Sequence, residues 1–425
     1  MIACADEIDL FDSLLSAATA MTTTEPTSLT LNELWASRVR GGIPSIGLAE
    51  LASLPIPIDV ATMTPGEVVS LRAENFDSVG FGIVDPESEV IWCYPADPEE
   101  SFDERFFRKR VRQALALRKR LGLVGDESGY RLIHGEGDHL AGYQVDVYAQ
   151  HVVIYSLSAA LDSHVPGWAE VIGSELQPLS IISKVRPAGE VPTGKVPFRL
   201  EYGVEPPATL SVREDDLLYE VHLTGGINTG LFLDMRQVRR SLRPWLRGKS
   251  VLNLFSYTGS FSMLAVREGA KSITSVDFAQ GVLEWTKANL ALNEIPLSKN
   301  IRFDRDDVLE YVKVARRHDK MFDVVILDPP AKTTVPNKRW FMKSDYGRLI
   351  AHALKILSPG GLLVVAASSA VAKPEKLESQ IREAGKETLR RLRLVDSPGL
   401  PSDFPTQMIH PAARHLKCLF LLADD

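Results

Sequence analysis

The chain has 425 residues, 45% of them hydrophobic, and a formal net charge of −7, enough for two or three domains with a sizeable core. No apolar run approaches the roughly eighteen residues a membrane helix needs. The acidic start "MIACADEIDLFDSLL" is unlike a secretory signal, so the cytoplasm is the expected location. Cys4, Cys93 and Cys418 are too far apart for a disulfide framework or a zinc site, and the histidines show no ligand spacing, the His134 and His139 pair included, so no metal is expected.

Residues 1–27, ending in "AMTTTEPTS", read as a disordered tail. From 28 to 101, short apolar runs broken by Pro and Gly ("GEVVSLRAE", "SVGFGIVD", "SEVIWCYP") predict a small β-rich domain. The segment 102–122 has helical apolar spacing at Phe106, Val111, Leu115, Leu117 and Leu121. Within it "RFFRKRVRQALALRKR" carries eight basic residues and no acidic one. Such a stretch is either a solvated helix face or part of a polyanion site, and "RQVRRSLRPWLRGK" (Arg236–Lys249) is a second. The acidic whole-chain balance gives nucleic-acid binding no support, so any basic footprint has to be local.

Residues 102–225 form the linker helix and an α+β middle domain. It holds a strand meander ("GYRLIHGEGD", "YQVDVYA", "HVVIYSLSA"), a helix ("VPGWAEVIGSEL"), a strand ("SIISKV") and the end of a hairpin ("LLYEVHLT"). Over 226–425 strands and helices alternate strictly: strands 251–255, 272–277, 301–305, 322–328 and 362–367, helices 260–268, 279–293, 308–317, 341–357 and 374–389, and a last strand "KCLFLLAD". This rhythm predicts an α/β fold with a parallel, doubly wound sheet, whose ligands lie at the carboxyl ends of the strands.

The turn after the first of these strands, "LFSYTGSF", has one glycine, Gly259, where a dinucleotide loop needs three, and no Gly-Lys-Ser/Thr, so no phosphate is expected over it. Asp277 ends the second strand, where an acidic side chain can accept hydrogen bonds from ribose hydroxyls. Asp307, in "DRDDVLEY", follows the third, placed to read an adenine amino edge, and Asp328 precedes two prolines in "DVVILDPPAK". Prolines fix φ and remove N–H donors, which holds that loop open. Any one strand-end Asp is more simply a helix cap. Together, a ribose and an adenine site without a phosphate site point to S-adenosylmethionine.

The stretches "VLNLFSYTGSFSMLAVREGAKSITSVDFAQGVLEWTKANLALN", "DDVLEYV", "FDVVILDPPAK", "YRLIHGEGDHLAGYQVDVYAQHVVIYSLSA" and "NTGLFLDMRQVRR" resemble the class I S-adenosylmethionine-dependent RNA methyltransferases. More closely, they resemble the large-subunit ribosomal RNA base methyltransferases with an N-terminal PUA-like domain and a middle α/β domain. The resemblance implies a Rossmann-like catalytic domain and RNA, ribosomal in the first instance, as partner; from the sequence itself no membrane partner is expected, and the oligomeric state, a homodimer included, stays open. It implies cofactor contacts from Asn253, Phe255, Ser256, Thr258, Gly259, Asp277, Phe278, Asp307, Val308 and Asp328, with Phe232 and Asp234 closing over the methionine end. The catalytic loop would be Asp328, Pro329 and Pro330. Arg108, Arg110 and Arg112 of the basic helix, and Arg236, would face RNA, Arg236 alternatively the cofactor carboxylate.

One position departs from the family pattern. Members that methylate cytosine C5 place a nucleophilic cysteine after the fifth strand, and in "LLVVAASSAVA" that position is Ser368. The motif after the fourth strand also has Ala331 where the family has lysine. An acceptor with its own lone pair, such as guanine N7, needs no nucleophile, and Leu283–Trp285 ("LEW") resembles a guanine-N7 relative. The alternatives are a fold kept for RNA binding with catalysis lost, or a methyltransferase for a small molecule or protein.

Overall fold

The computed structural model describes residues 27–52, 62–186, 196–335, 338–368 and 373–424. The expected tail, with Cys4, lies outside the described residues except for Thr27. The first sheet is five-stranded, in the order β1 (Ser28–Leu31), β3 (Val68–Ala73), β4 (Ser78–Asp85), β5 (Val90–Pro95), β2 (Ser45–Gly47). Sequence reading missed its helix α1 (Glu33–Arg40), which starts where the Asn32 side chain accepts the Trp35 N–H at 3.0 Å and buries Trp35, Ala36 and Val39.

Helix α2 (Glu104–Arg120) starts at Asp103, whose carboxylate accepts the N–H groups of Arg105 and Phe106. Its buried face (Phe106, Phe107, Val111, Ala114 and Leu115) joins one core with Phe81 and Tyr94 of the first sheet and with the second sheet. That second sheet runs β10 (Arg199–Gly203), β9 (Ser180–Val185), β8 (His151–Ser156), β7 (Tyr143–Tyr148), β6 (Gly129–His134), and is backed by α3 (Val165–Leu176). Phe107 of α2 packs on Trp168 of α3, ring centroids 4.2 Å apart.

A hairpin, β11 (Leu210–Glu214) and β12 (Leu217–Val221), and helix α4 (Arg236–Leu242) lead to the third sheet. Its elements are β13 (Ser250–Leu254), α5 (Ser260–Arg267), β14 (Ser272–Asp277), α6 (Gln280–Leu292), β15 (Ile301–Arg305), α7 (Val308–Arg317), β16 (Phe322–Leu327), β17 (Lys332–Val335), β18 (Lys338–Phe341), α8 (Met342–Leu354), β19 (Leu357–Ser368), α9 (Pro374–Thr388), β20 (Leu392–Asp396) and β21 (Leu416–Ala423). The seven-stranded order is β15-β14-β13-β16-β19-β21-β20. Along β13, Val251 packs into one core cluster and Leu252 and Leu254 into the other, the two-residue period of a strand covered on both faces.

The expected all-parallel sheet needs two corrections. β20 was missed, and β21 runs antiparallel to both β19 and β20. The connection 397–415 contains Pro398, Pro401, Pro405 and Pro411, so it cannot form the crossover helix a parallel return requires. In addition, the β17–β18 hairpin precedes helix α8, which spans Met342–Leu354 rather than 341–357.

Candidate active site

The loop after β13 is built on unusual backbone. Phe255 (φ 57°), Tyr257 (φ 47°) and Gly259 (φ 80°) are all left-handed. The two aromatic residues each carry strain of about 1–3 kcal/mol, a cost that concentrates at functional sites. Its neighbours hold the loop in that shape. The Tyr257 N–H donates to Asp277 Oδ2 at 3.0 Å, Thr286 Oγ1 donates to the Tyr257 carbonyl, and Asn289 Nδ2 donates to the Thr258 carbonyl. Thr258 Oγ1 donates to the Gly230 carbonyl at 2.6 Å. A Cβ on Gly259 would meet Thr286 Cγ2 at 2.2 Å, so only glycine lets this loop sit on α6.

Asp277 also accepts the Ala279 N–H at 3.1 Å. Burial raises its carboxyl above the usual value, against the N–H groups of Ala279, Tyr257 and Phe278. A carboxylate has about four lone-pair sites, so acceptor capacity remains for a ligand hydroxyl. Asp307 caps α7 by accepting the Glu310 N–H at 3.1 Å, and Val308 behind it is buried. Beneath the loop, Ser256 Oγ and Asn253 Oδ1 are buried without a hydrogen-bond partner, while Asn253 Nδ2 donates to Ser262 Oγ. Buried polar atoms left unpaired at the end of a strand are what a polar ligand would satisfy. Phe232 is 40% exposed and packs on Tyr257, ring centroids 5.1 Å apart.

The other half of the mouth is formed by the ends of β16 and β19. Buried Tyr346 donates through its hydroxyl to the carbonyls of Leu327 (3.1 Å) and Ala366 (2.6 Å), fixing the strands beside Asp328 and Ser368. Trp340 Nε1 donates to the Pro330 carbonyl at 2.9 Å, and its ring packs on Phe255. Asp234 Oδ2 receives Ser368 Oγ (3.2 Å) and His415 Nε2 (3.0 Å). Burial opposes the Asp234 charge, but His415, Arg131 and Ser368 outweigh it and hold the carboxyl below its ordinary value. Burial and the Asp234 charge push Asp328 the other way, up to about 7, against a pull from Arg239.

Asn253, Phe255, Ser256, Thr258, Gly259, Asp277, Asp307 and Asp328 thus gather at the carboxyl ends of the sheet, with Phe232 beside Tyr257 and Asp234 bonded to Ser368. The arginines behave differently. Arg236 is buried: Nη1 donates to Asp403 Oδ1 (2.9 Å) and Nη2 to the Gly129 carbonyl (2.5 Å), so it faces neither RNA nor cofactor. Arg110 is also buried, pairing with Glu100 and donating to the Pro95 carbonyl. Arg108 and Arg112 both bind Glu175. All four basic side chains assigned to RNA, Arg108, Arg110, Arg112 and Arg236, are therefore ion-paired to their own fold. Trp285 has a structural role: it stacks on His222 at 3.8 Å, donates to the Glu220 carbonyl and packs against Gly230.

Sequence reasoning missed His415, Tyr257 and Arg239. His415 lies 181 residues from Asp234 and within no motif. Tyr257 stood in the loop in plain view, and its bulk there was the available signal.

A doubly wound sheet with a rim of carboxylates at the carboxyl ends of its strands is the frame of an S-adenosylmethionine-dependent methyltransferase. That family matches residues 199–421, and the chain belongs to it. The chain is 30% identical over 356 residues to the ribosomal RNA large subunit methyltransferase I of Aliivibrio fischeri (strain ATCC 700601 / ES114), covering 83% of this chain and 89% of that one. It is 30% identical over 371 residues to the protein of the same name from Salmonella enteritidis PT4 (strain P125109), covering 83% and 88%. A methyltransferase crystallised with S-adenosylhomocysteine superposes with a TM-score of 0.80 at 25% identity, over 93% of this chain and 100% of that one. An S-adenosylmethionine-dependent methyltransferase from Streptococcus mutans gives 0.79 at 26%, with the same coverage. S-adenosylmethionine is the cofactor, and the unpaired Ser256 and Asn253 atoms and the Asp277 carboxylate fit a nucleoside with a polar tail.

Proposed function

We propose that the protein methylates a base of large-subunit ribosomal RNA, at an atom with its own lone pair (guanine N7 or another such atom) rather than at cytosine C5. Cofactor contacts come from the 253–259 loop, Asp277, Asp307 and Phe232, the acceptor is positioned by the Asp328-Pro329-Pro330 loop, and the first sheet serves as a PUA-like RNA-binding module. The named ribosomal RNA methyltransferases among its relatives support the substrate class.

One observation carries the choice of acceptor. Ser368, at the cysteine position, is a hydroxyl, and the carboxylate that accepts its hydrogen, Asp234, is held below its ordinary value and so is a weak base. Methylation of C5 requires a thiolate, and reactive thiols have lowered pKa values. Cys93 and Cys418 are buried in β5 and β21, and burial raises both thiols. With the acceptor's own lone pair in line with the activated methyl group, alignment at about 3–3.5 Å is the main requirement.

The test is mass spectrometry of ribosomal RNA nucleosides from cells lacking the protein. A missing methylated nucleoside, restored by the gene, is the expected result. A loss confined to 5-methylcytidine would refute the lone-pair acceptor, and an unchanged spectrum would refute ribosomal RNA as substrate.

A further inference from the structure

Far from the mouth, the edge of the third sheet carries apolar surface in contact with water. Between α9 and strands β20 and β21 lies a groove of about 780 Å³. Its walls include buried Ile381 and Leu421, and also Leu389 and Leu394, which are 91% and 58% exposed. Leu389 has left-handed backbone (φ 56°) where it ends α9, a position that favours glycine or asparagine. A leucine there combines backbone strain with an apolar side chain in water, and contiguous surface of this kind marks a docking site.

The groove is also cationic. Arg382, Lys386, Arg390 and Arg391 line it against one carboxylate, Glu378. Arg382 reaches Glu378 and Lys386 reaches Glu383, both in exposed pairs that contribute little. Arg390 donates to the carbonyls of Leu357 and Ser358 at 3.1 Å, which leaves its charge uncompensated. Exposed Arg391 has no acidic partner among the described residues. A second copy packed here about a two-fold axis would set these cations against their own kind. The fitting occupant is apolar and acidic.

The chain itself contains such a segment. Residues 6–15, "DEIDLFDSLL", interleave Asp6, Glu7, Asp9 and Asp12 with five large apolar residues, and the first Lys or Arg of the chain is Arg38. Ile8, Phe11 and Leu15 fall at the i, i+3, i+7 spacing by which amphipathic segments anchor in hydrophobic grooves. Residues 15–28 can span about 45 Å, against a radius of gyration of about 22 Å for a compact chain of 425 residues. The first sheet also lies close by: a Cβ on Gly41, at the end of α1, would meet Ile409 of the β20–β21 connection at 2.9 Å. We propose that the acidic segment 6–15 docks in the groove between α9 and β20 of its own chain. Its apolar side chains cover Leu389 and Leu394, and its carboxylates face Arg390 and Arg391. The contact forms whichever base is methylated.

Photo-cross-linking of the full-length protein tests the contact. With p-benzoylphenylalanine in place of Phe11, irradiation and digestion should give cross-links to peptides from 378–394 or 419–421, identified by mass spectrometry. Irradiating a mixture of isotopically light and heavy protein should give no mixed pairs. Mixed pairs would assign the groove to a second copy, and cross-links elsewhere, or none, would leave the segment undocked; each of these results overturns the proposal. Leu389→Asp and Arg391→Glu change exposed side chains and should leave the melting temperature in place. Each should lower the groove cross-link about threefold or more. Adding Asp9→Lys and Asp12→Lys to Arg391→Glu should restore it. An unchanged yield in either Leu389→Asp or Arg391→Glu overturns the proposal.

Discussion

Arg236 and Asp403 form an ion pair of 2.9 Å with almost no exposure to solvent, 2% for one side chain and 0% for the other. The same carboxylate accepts the Arg131 N–H at 3.0 Å, and the Asp403 carbonyl accepts Arg118 Nη2 at 2.7 Å. One loop residue thereby fastens α4, β6 and α2 together. Asp403→Ala leaves the Arg236 guanidinium buried beside one fewer carboxylate and should cost about 3–5 kcal/mol. Urea denaturation measures this, and a loss below about 1 kcal/mol would show that the pair does little for stability.

The basic helix divides by burial. Arg110→Glu should destabilise the fold by several kcal/mol, because it puts two carboxylates together where Glu100 now has a cation. Lys119 and Arg120 at the end of the helix are exposed, and they are the pair to test for RNA contact. Reversing both should leave the melting temperature unchanged and reduce the slope of log affinity against log salt by roughly 1.4–1.8. An unchanged slope assigns the helix a purely structural role.

Asp277→Ala should weaken S-adenosylmethionine binding by about 1.5–3 kcal/mol, through hydrogen bonds to a charged group and through release of Tyr257. Calorimetry on the folded variant decides; equal affinity would take Asp277 out of the site.

Asp328, raised to about 7, gives cofactor binding a pH dependence. A sulfonium cation favours the ionised carboxylate, so its binding near pH 7 should release protons, and affinity should climb as pH rises through that midpoint. S-adenosylhomocysteine, uncharged at sulfur, should show less of either effect. Calorimetry in buffers of different ionisation enthalpy reads the proton count directly; equal counts for the two ligands would place the sulfonium away from Asp328.

Replacing Cys4, Cys93 and Cys418 together by alanine should keep methyl transfer within about tenfold, roughly 1.4 kcal/mol. Cys418 is the main risk, since it lies buried in β21. Loss of turnover from a single replacement, in a folded protein that binds cofactor, would restore cytosine C5; RNA containing 5-fluorocytosine should then trap that cysteine.

The rim of the sheet was readable because its residues sit at strand ends: Asp277 and Asp328 each close an apolar run, and Asp307 follows the alternation of Ile301 and Phe303 with charged residues. The direction of β21 and the existence of β20 were not, because "LRLVD" is short and largely exposed, with little periodic contrast. The basic arginines misled for a related reason. A run of cations along a helix does not reveal that Glu100 and Glu175 neutralise it from elsewhere in the chain. His415 was invisible because its only relevant neighbours are brought to it by folding.

The β11–β12 hairpin is too small to be stable alone, yet neither of its outer edges is left bare. Asn293, which caps the end of α6, both donates to the Leu218 carbonyl (2.6 Å) and accepts its N–H (2.8 Å), while Asn289 of α6 accepts the Glu220 N–H (2.7 Å). Across the hairpin, the Arg213 N–H donates to the Glu127 carbonyl at 2.7 Å. Two helix amides thus imitate a neighbouring strand, and a ribbon that could otherwise recruit a second chain into a growing sheet is closed against self-association.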